Sequence, residues 1–128
     1  MHNDATLAIR DNVRRLMNDR GMSQRALAKA AGVSQSSVGY LLRYRDINDR
    51  HPTTSTIEAI AGAFGVQTWQ LLIPEMPLEL LTSPRMAALL LNYKDAAPEG
   101  RANLERIAES EKRYALSPPE EGERKKAS

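Results

Sequence analysis

Cysteine is absent from this 128-residue chain. Disulfides, thiolate metal sites and cysteine nucleophiles are thereby excluded, and a reducing compartment is compatible with the chain. Histidine is nearly absent, with only His2 and His51, so a multi-histidine metal cage cannot be assembled. Aromatic residues make up 5% of the chain, as four Tyr, one Trp and one Phe, so a core has to be built from Leu, Ala, Ile and Val. No apolar run approaches the roughly 18 residues of a membrane helix. The first ten residues, MHNDATLAIR, lack the apolar segment of a secretory signal, so neither export nor a membrane partner is expected. Strand-like alternation rich in Val, Ile and Thr is missing, and so is a Gly-rich phosphate loop. Without a nucleophile–base constellation, the chain reads as no enzyme, with no cofactor and no metal.

What is present is ordinary in amount and uneven in placement. Hydrophobic residues are 41% and charged residues 27%, the range of a globular protein. The length suits one small domain with an appendage. Residues 10–45 carry eight basic side chains against Asp11 and Asp19, whereas residues 74–128 carry nine basic and ten acidic. The front half is the part suited to a polyanion, although arginines on solvated helix faces would give the same count.

Gly and Pro fall between periodic segments, which predicts an all-α protein. A first helix is predicted from about Thr6 to Asp19, with Leu7, Ile9, Val13, Leu16 and Met17 on its apolar stripe and Gly21 behind it. Ser23 is an N-cap for a second helix over Gln24–Ala30, broken by Gly32. Ser34 caps a third over Gln35–Arg43, with Val38, Leu41 and Leu42 apolar. A polar loop, residues 44–52, ends at Pro52. A fourth helix is predicted over Thr54–Phe64, with Ser55 and Glu58 at capping-box spacing, and a short fifth over Trp69–Ile73 behind Thr68. Residues 74–83, containing Pro74 and Pro77, read as a linker. Two further helices follow, Pro84–Asp95 and about Pro98–Leu116, each with Pro at its first position. Residues 117–128, rich in Pro and charge, read as a disordered tail.

The segment from Gln24 to Arg43 has a specific arrangement. A short helix, a tight turn through Gly32, Val33 and Ser34, and a second helix predict a helix-turn-helix, with Leu27, Ala28, Ala31, Val33, Val38 and Leu41 inside. Ala28 is small where the two helices cross, and Gly32 suits a turn residue with positive φ. Gly39, inside the third helix, points to a close approach by DNA or by a neighbouring helix.

The residues SQRALAKAAGVSQSSVGYLLR, with TIEAIAGAFGVQTWQLL closing the segment, resemble the lambda repressor and Cro (Xre) family of DNA-binding domains over residues 6–73. The resemblance implies that the third helix enters the major groove. It implies base contacts from Gln35, Ser36, Ser37 and Tyr40, where Gln35 suits adenine. It also implies phosphate contacts from Gln24, Arg25, Ser34, Arg43, Tyr44 and Arg45, with Gln24 bracing Gln35. Arg10 and Arg14 read as solvated, Phe64 and Trp69 as core, and His51 as an exposed loop residue. Family members often carry Asn-Gly where this chain has Arg43-Tyr44.

The expected organisation is thus a five-helix domain over 1–73, the linker 74–83, a helical dimerisation or partner region over 84–116, and the tail. Leu89, Tyr93, Leu104 and Ile107 are the candidates for the partner surface, because two narrow apolar stripes cannot make a large core alone. No self-cleaving β-rich domain fits in the remaining residues. The implied function is a double-stranded DNA-binding transcriptional regulator in the cytoplasm, on the nucleoid, of phage or bacterial type. It would act as a homodimeric repressor on a palindromic operator. The alternatives are an antitoxin that regulates its own operon while its C-terminal part holds a toxin or co-regulator, and a protein-interaction module without DNA binding.

Overall fold

The computed structural model describes residues 4–117. The elements are α1 (Ala5–Arg20), α2 (Gln24–Ala31), α3 (Gln35–Arg43), α4 (Thr54–Phe64), α5 (Thr68–Leu71), α6 (Leu78–Leu81), α7 (Pro84–Asp95) and α8 (Pro98–Leu116). No strand occurs among the described residues, so the all-α class holds. The chain divides into two compact units, Met1–Pro84 and Arg85–Ser128. His2 and the expected disorder beyond Ser117 lie outside the described residues.

Local chemistry sets the helix ends of the first unit. Asp4 caps α1, its Oδ1 accepting from the backbone N–H of Thr6 at 3.0 Å and of Leu7 at 3.3 Å. Ser23, Ser34 and Thr53 cap α2, α3 and α4 in the same way. Thr53, not Ser55, starts α4: its Oγ1 accepts from the Thr56 N–H at 3.1 Å, and Glu58 takes no part. Gln67, not Thr68, precedes α5, and its N–H donates to Gln70 Oε1 at 2.7 Å. At the other end of α2, Gly32 has φ +70°, and the Val33 N–H closes back on the Ala28 carbonyl at 3.1 Å. That left-handed stop costs glycine little, and it ends α1 and α4 as well.

The core of this unit is aliphatic. Ile9, Val13 and Leu16 of α1 are buried, with Leu27, Val38, Leu41, Ile60, Phe64, Leu71 and Leu81 from the helices that follow. Each fully buried side chain of this size contributes about 1.5–3 kcal/mol relative to exposure. α2 packs on α3 and α4, α1 packs on α3 and α5, and α4 packs on α5. Segment 74–83, expected as a linker, falls within the first unit. It contains α6 and buries Met76 and Leu81, and the first unit runs to Pro84, past the end of the expected 1–73 domain.

α1 is fastened by polar side chains aimed at backbone carbonyls. Buried Asn12 donates through Nδ2 to the Leu71 and Ile73 carbonyls, both at 2.9 Å, and its Oδ1 accepts from Arg15 at 2.6 Å. Arg15 also donates to the Met76 carbonyl. Arg10 donates to the Tyr44 carbonyl at 2.6 Å, Arg14 to that of Leu42, and Arg20 to that of Phe64 at 2.8 Å. The Leu42 and Phe64 carbonyls lie in the last turns of α3 and α4, where helices leave acceptors unpaired and cations are favoured. Arg10 and Arg14 therefore hold the fold and are not simply solvated. Phe64 is buried as expected, but Trp69 is only half-buried.

The second unit is different in kind. α7 and α8 bury no residue. Arg101 closes the hairpin by donating through Nε to the Tyr93 carbonyl at 3.1 Å and through an Nη to that of Lys94 at 2.5 Å. A hydrogen bond to the Glu105 carboxylate, reinforced by burial, raises the Tyr93 phenol above its ordinary pKa. Leu89 and Ile107 are 60% and 58% exposed, whereas Tyr93 and Leu104 are half-buried. Leu90, Leu91, Tyr114 and Leu116 add further exposed apolar surface.

Candidate nucleic-acid interface

Two short helices and three intervening residues make the site. α2 ends at Ala31, the chain turns through Gly32, Val33 and Ser34, and α3 begins at Gln35. Leu27 and Ala28 of α2 and Val38, Leu41 and Leu42 of α3 are buried where the two helices pack, while Ala31 and Val33 are half-buried at the corner. That packing leaves Gln35, Ser36, Tyr40 and Arg43 exposed along the other side of α3. Neither α2 nor α3 has an acidic residue in its first turn, so no carboxylate offsets the positive end of either helix.

The residues expected at DNA mostly reach the surface. Gln24 and Arg25 are exposed in the first turn of α2, and no hydrogen bond joins Gln24 to Gln35. Ser34 is exposed, but its Oγ accepts the Ser37 N–H at 3.1 Å and lies 2.8 Å from Ser37 Oγ, so the two hydroxyls face each other. Ser37 is half-buried. Arg45 is exposed, and its backbone N–H donates to Asp49 Oδ2 at 2.7 Å.

Tyr44 is the correction. It is 1% exposed, and its hydroxyl donates to Asp4 Oδ2 at 2.8 Å, so its side chain has no surface to offer a phosphate. Burial, then the hydrogen bond and the charge of Asp4, push this phenol above its ordinary pKa. The signal was in the sequence. Val38, Leu41 and Tyr44 are three residues apart, so Tyr44 extends the buried stripe of α3 past the helix end. His51 stands edge-on to this ring, with centroids 5.0 Å apart. Its Nε2 lies 3.0 Å from the Ile47 carbonyl, which requires Nε2 to carry the proton and lets Nδ1 accept from Thr6 Oγ1 at 3.3 Å. Although exposed, His51 thus ties the loop to α1.

The basic count along residues 10–45 overstates the basic surface. Arg10, Arg14, Arg15 and Arg20 all direct donors at backbone carbonyls. Arg25, Lys29, Arg43 and Arg45 are the exposed cations left in that segment. One exposed cation outside it was missed. Arg50 in the α3–α4 loop lies over the Tyr40 ring, with its guanidinium carbon 4.5 Å from the ring centroid, and Arg43 lies over the same ring at 5.5 Å. Such exposed cation–π contacts contribute about 0.5–1 kcal/mol each. Only the return of the loop brings residue 50 beside residue 40, so sequence spacing carries no sign of it. Gly39 is explained by the same cluster. A Cβ there would stand 2.9 Å from an Arg43 guanidinium nitrogen, and no neighbouring helix comes within reach.

Among the described residues no group of three or more His, Asp or Glu is placed to hold a metal, and no helix is long and apolar enough to cross a membrane. A two-helix reader with a polar, cationic outer face defines a DNA-binding module. Residues 13–68, from within α1 to the start of α5, match the family model described as helix-turn-helix. Over this segment the chain is similar to helix-turn-helix DNA-binding domains of the Cro/C1 (Xre) type. No curated protein and no solved structure matches the chain.

Proposed function

We propose that the protein is a transcriptional repressor that binds a palindromic operator as a homodimer and excludes polymerase. The observation that carries this is the outer face of α3, where Gln35 and Ser36 stand exposed at the N-terminal end with Arg43 at the other. Gln35 and Ser36 supply base contacts, and Ser37 supports them from its half-buried position. Gln24, Arg25, Ser34, Arg43 and Arg45 supply phosphate contacts. The second unit supplies the dimer contact through Leu89 and Ile107, since two such domains read half-sites one helical turn, about 34 Å, apart or a multiple of it. The protein then works in the cytoplasm, on the nucleoid.

Selection from random duplexes at stated salt, with the protein's mass in solution measured alongside, tests the reading. An enriched inverted repeat bound by a dimer is the expected result, and Gln35→Ala should cost about 1–3 kcal/mol at one base pair of it. Binding without enrichment at any sequence would overturn it. A second reading is an antitoxin that holds a toxin or co-regulator through the second unit. The exposed leucines Leu89, Leu90 and Leu91 favour it, and a stable complex with one partner protein, replacing the homodimer, would select it.

A further inference from the structure

The cluster of Tyr40, Arg43 and Arg50 has features that a merely solvated surface does not require. Two cations from different elements converge on one ring. Both are exposed, and among the described residues neither is paired with a carboxylate in a salt bridge. The ring face offsets part of the repulsion between these like charges, and an anion placed beside them would offset more. Arg43 reaches the ring by lying along the helix over Gly39, which has no Cβ to obstruct it.

Arg50 is delivered by a loop that its own aspartates order. The Arg45 and Asp46 N–H groups donate to Asp49 Oδ2 at 2.7 and 3.3 Å, and the Asn48 N–H donates to Asp46 Oδ1 at 2.8 Å. On the other side of Arg50, His51 is bonded to Ile47 and Thr6. The Tyr40 hydroxyl makes no hydrogen bond among the described residues, so what holds the ring's surroundings in place is its face, not its oxygen.

We propose that Arg50 is a DNA phosphate-binding residue outside the helix-turn-helix itself, and that Tyr40 is a positioning residue whose ring sets the Arg50 and Arg43 guanidiniums for one DNA strand. This rests on the DNA-binding reading above. It moves Tyr40 from reading a base to ordering the cations beside the bases. A planar guanidinium stacked on a ring keeps its N–H edge free for phosphate oxygens, which an ammonium on a flexible stem does less well.

The test is a titration of the full chain against the selected duplex and a scrambled one over a range of salt, for wild type, Arg50→Ala, Tyr40→Ala, Tyr40→Phe and the Arg50→Ala/Tyr40→Ala double variant. Both positions are exposed, and a thermal melt of each variant checks that it folds. Arg50→Ala should weaken both duplexes alike and lower the slope of log K against log salt by about 0.9. Tyr40→Ala should weaken both duplexes, Tyr40→Phe should behave as wild type because the ring is kept, and Arg50→Ala should cost less in the Tyr40→Ala background than alone. An unchanged slope in Arg50→Ala would overturn the phosphate role. Loss of discrimination at one base pair in Tyr40→Phe, with the wild-type slope, would overturn the positioning role and make the hydroxyl a base reader. Absence of wild-type binding to either duplex would overturn the DNA-binding reading and this proposal together, whereas wild-type binding with an indifferent Arg50→Ala removes this proposal alone.

Discussion

The two units of this chain use leucine in opposite ways. In the first, Leu16, Leu27, Leu41, Leu71 and Leu81 are fully buried, and polar side chains from α1 reach across to cap what the other helices leave open. In the second, Leu89, Leu90 and Leu91 follow one another along α7 and all remain exposed. A run of three such residues covers most of the helix circumference, so no single neighbour can bury it. The difference teaches that helix formation and core formation are separate properties. α8 has a Pro at its first position and an ion pair between Glu109 and Arg113, and it is a long helix without a buried residue.

The comparison is broken most directly by truncating one leucine in each unit. Leu16→Ala should destabilise the first unit by about 2–5 kcal/mol in urea unfolding. Leu90→Ala should stay within about 0.5 kcal/mol when measured on the monomer. An equal loss in both would mean that the second unit has a core of its own.

Asn12→Ala sharpens the role of polar packing. It leaves the buried Leu71 carbonyl and the part-buried Ile73 carbonyl without their donor, at a cost of about 1–3 kcal/mol. Denaturation should show the loss with little change in the slope on denaturant concentration.

Tyr44→Phe comes next. It removes the hydroxyl's bond to Asp4 and should lower stability modestly at neutral pH. The wild-type phenol is raised above its ordinary value of 10.0, so the fold favours its protonated form. That contribution is complete below pH 10.0 and is lost as pH climbs from there through the folded-state value. Stability measured against pH should therefore fall more steeply for the wild type than for Tyr44→Phe in the alkaline range.

The smallest effect has the opposite sign. Gly39→Ala should stabilise α3 by up to about 1 kcal/mol through helix propensity. It should at the same time push the Arg43 guanidinium aside, because only a flexible side-chain end occupies the space a Cβ would take. A more stable protein with weaker duplex binding is the expected pair of results, read by melting and by titration on one sample.

Much of the first unit was legible in the residues because its determinants are local. A serine before Gln24, another before Gln35 and the glycines behind α1, α2 and α4 act within one turn, so spacing alone places those ends. Four successive hydroxyl residues, Thr53 to Thr56, all suit a cap, and spacing could not choose among them. Segment 74–83 misleads for a related reason. Pro74 and Pro77 interrupt the pattern, yet Met76 and Leu81 each fill a place in a core that is assembled elsewhere in the chain.

The composition and order of residues by themselves determined an all-α chain, the helix-turn-helix and the absence of thiol chemistry, because each depends on residue type and short-range spacing. Tertiary structure alone decided which arginines remain free, where Tyr44 goes and what stands beside Tyr40. A guanidinium can serve a carbonyl of its own chain or a phosphate of another molecule with the same donors. Which of the two it meets depends on what the fold brings within 3 Å or so, a distance no sequence spacing encodes.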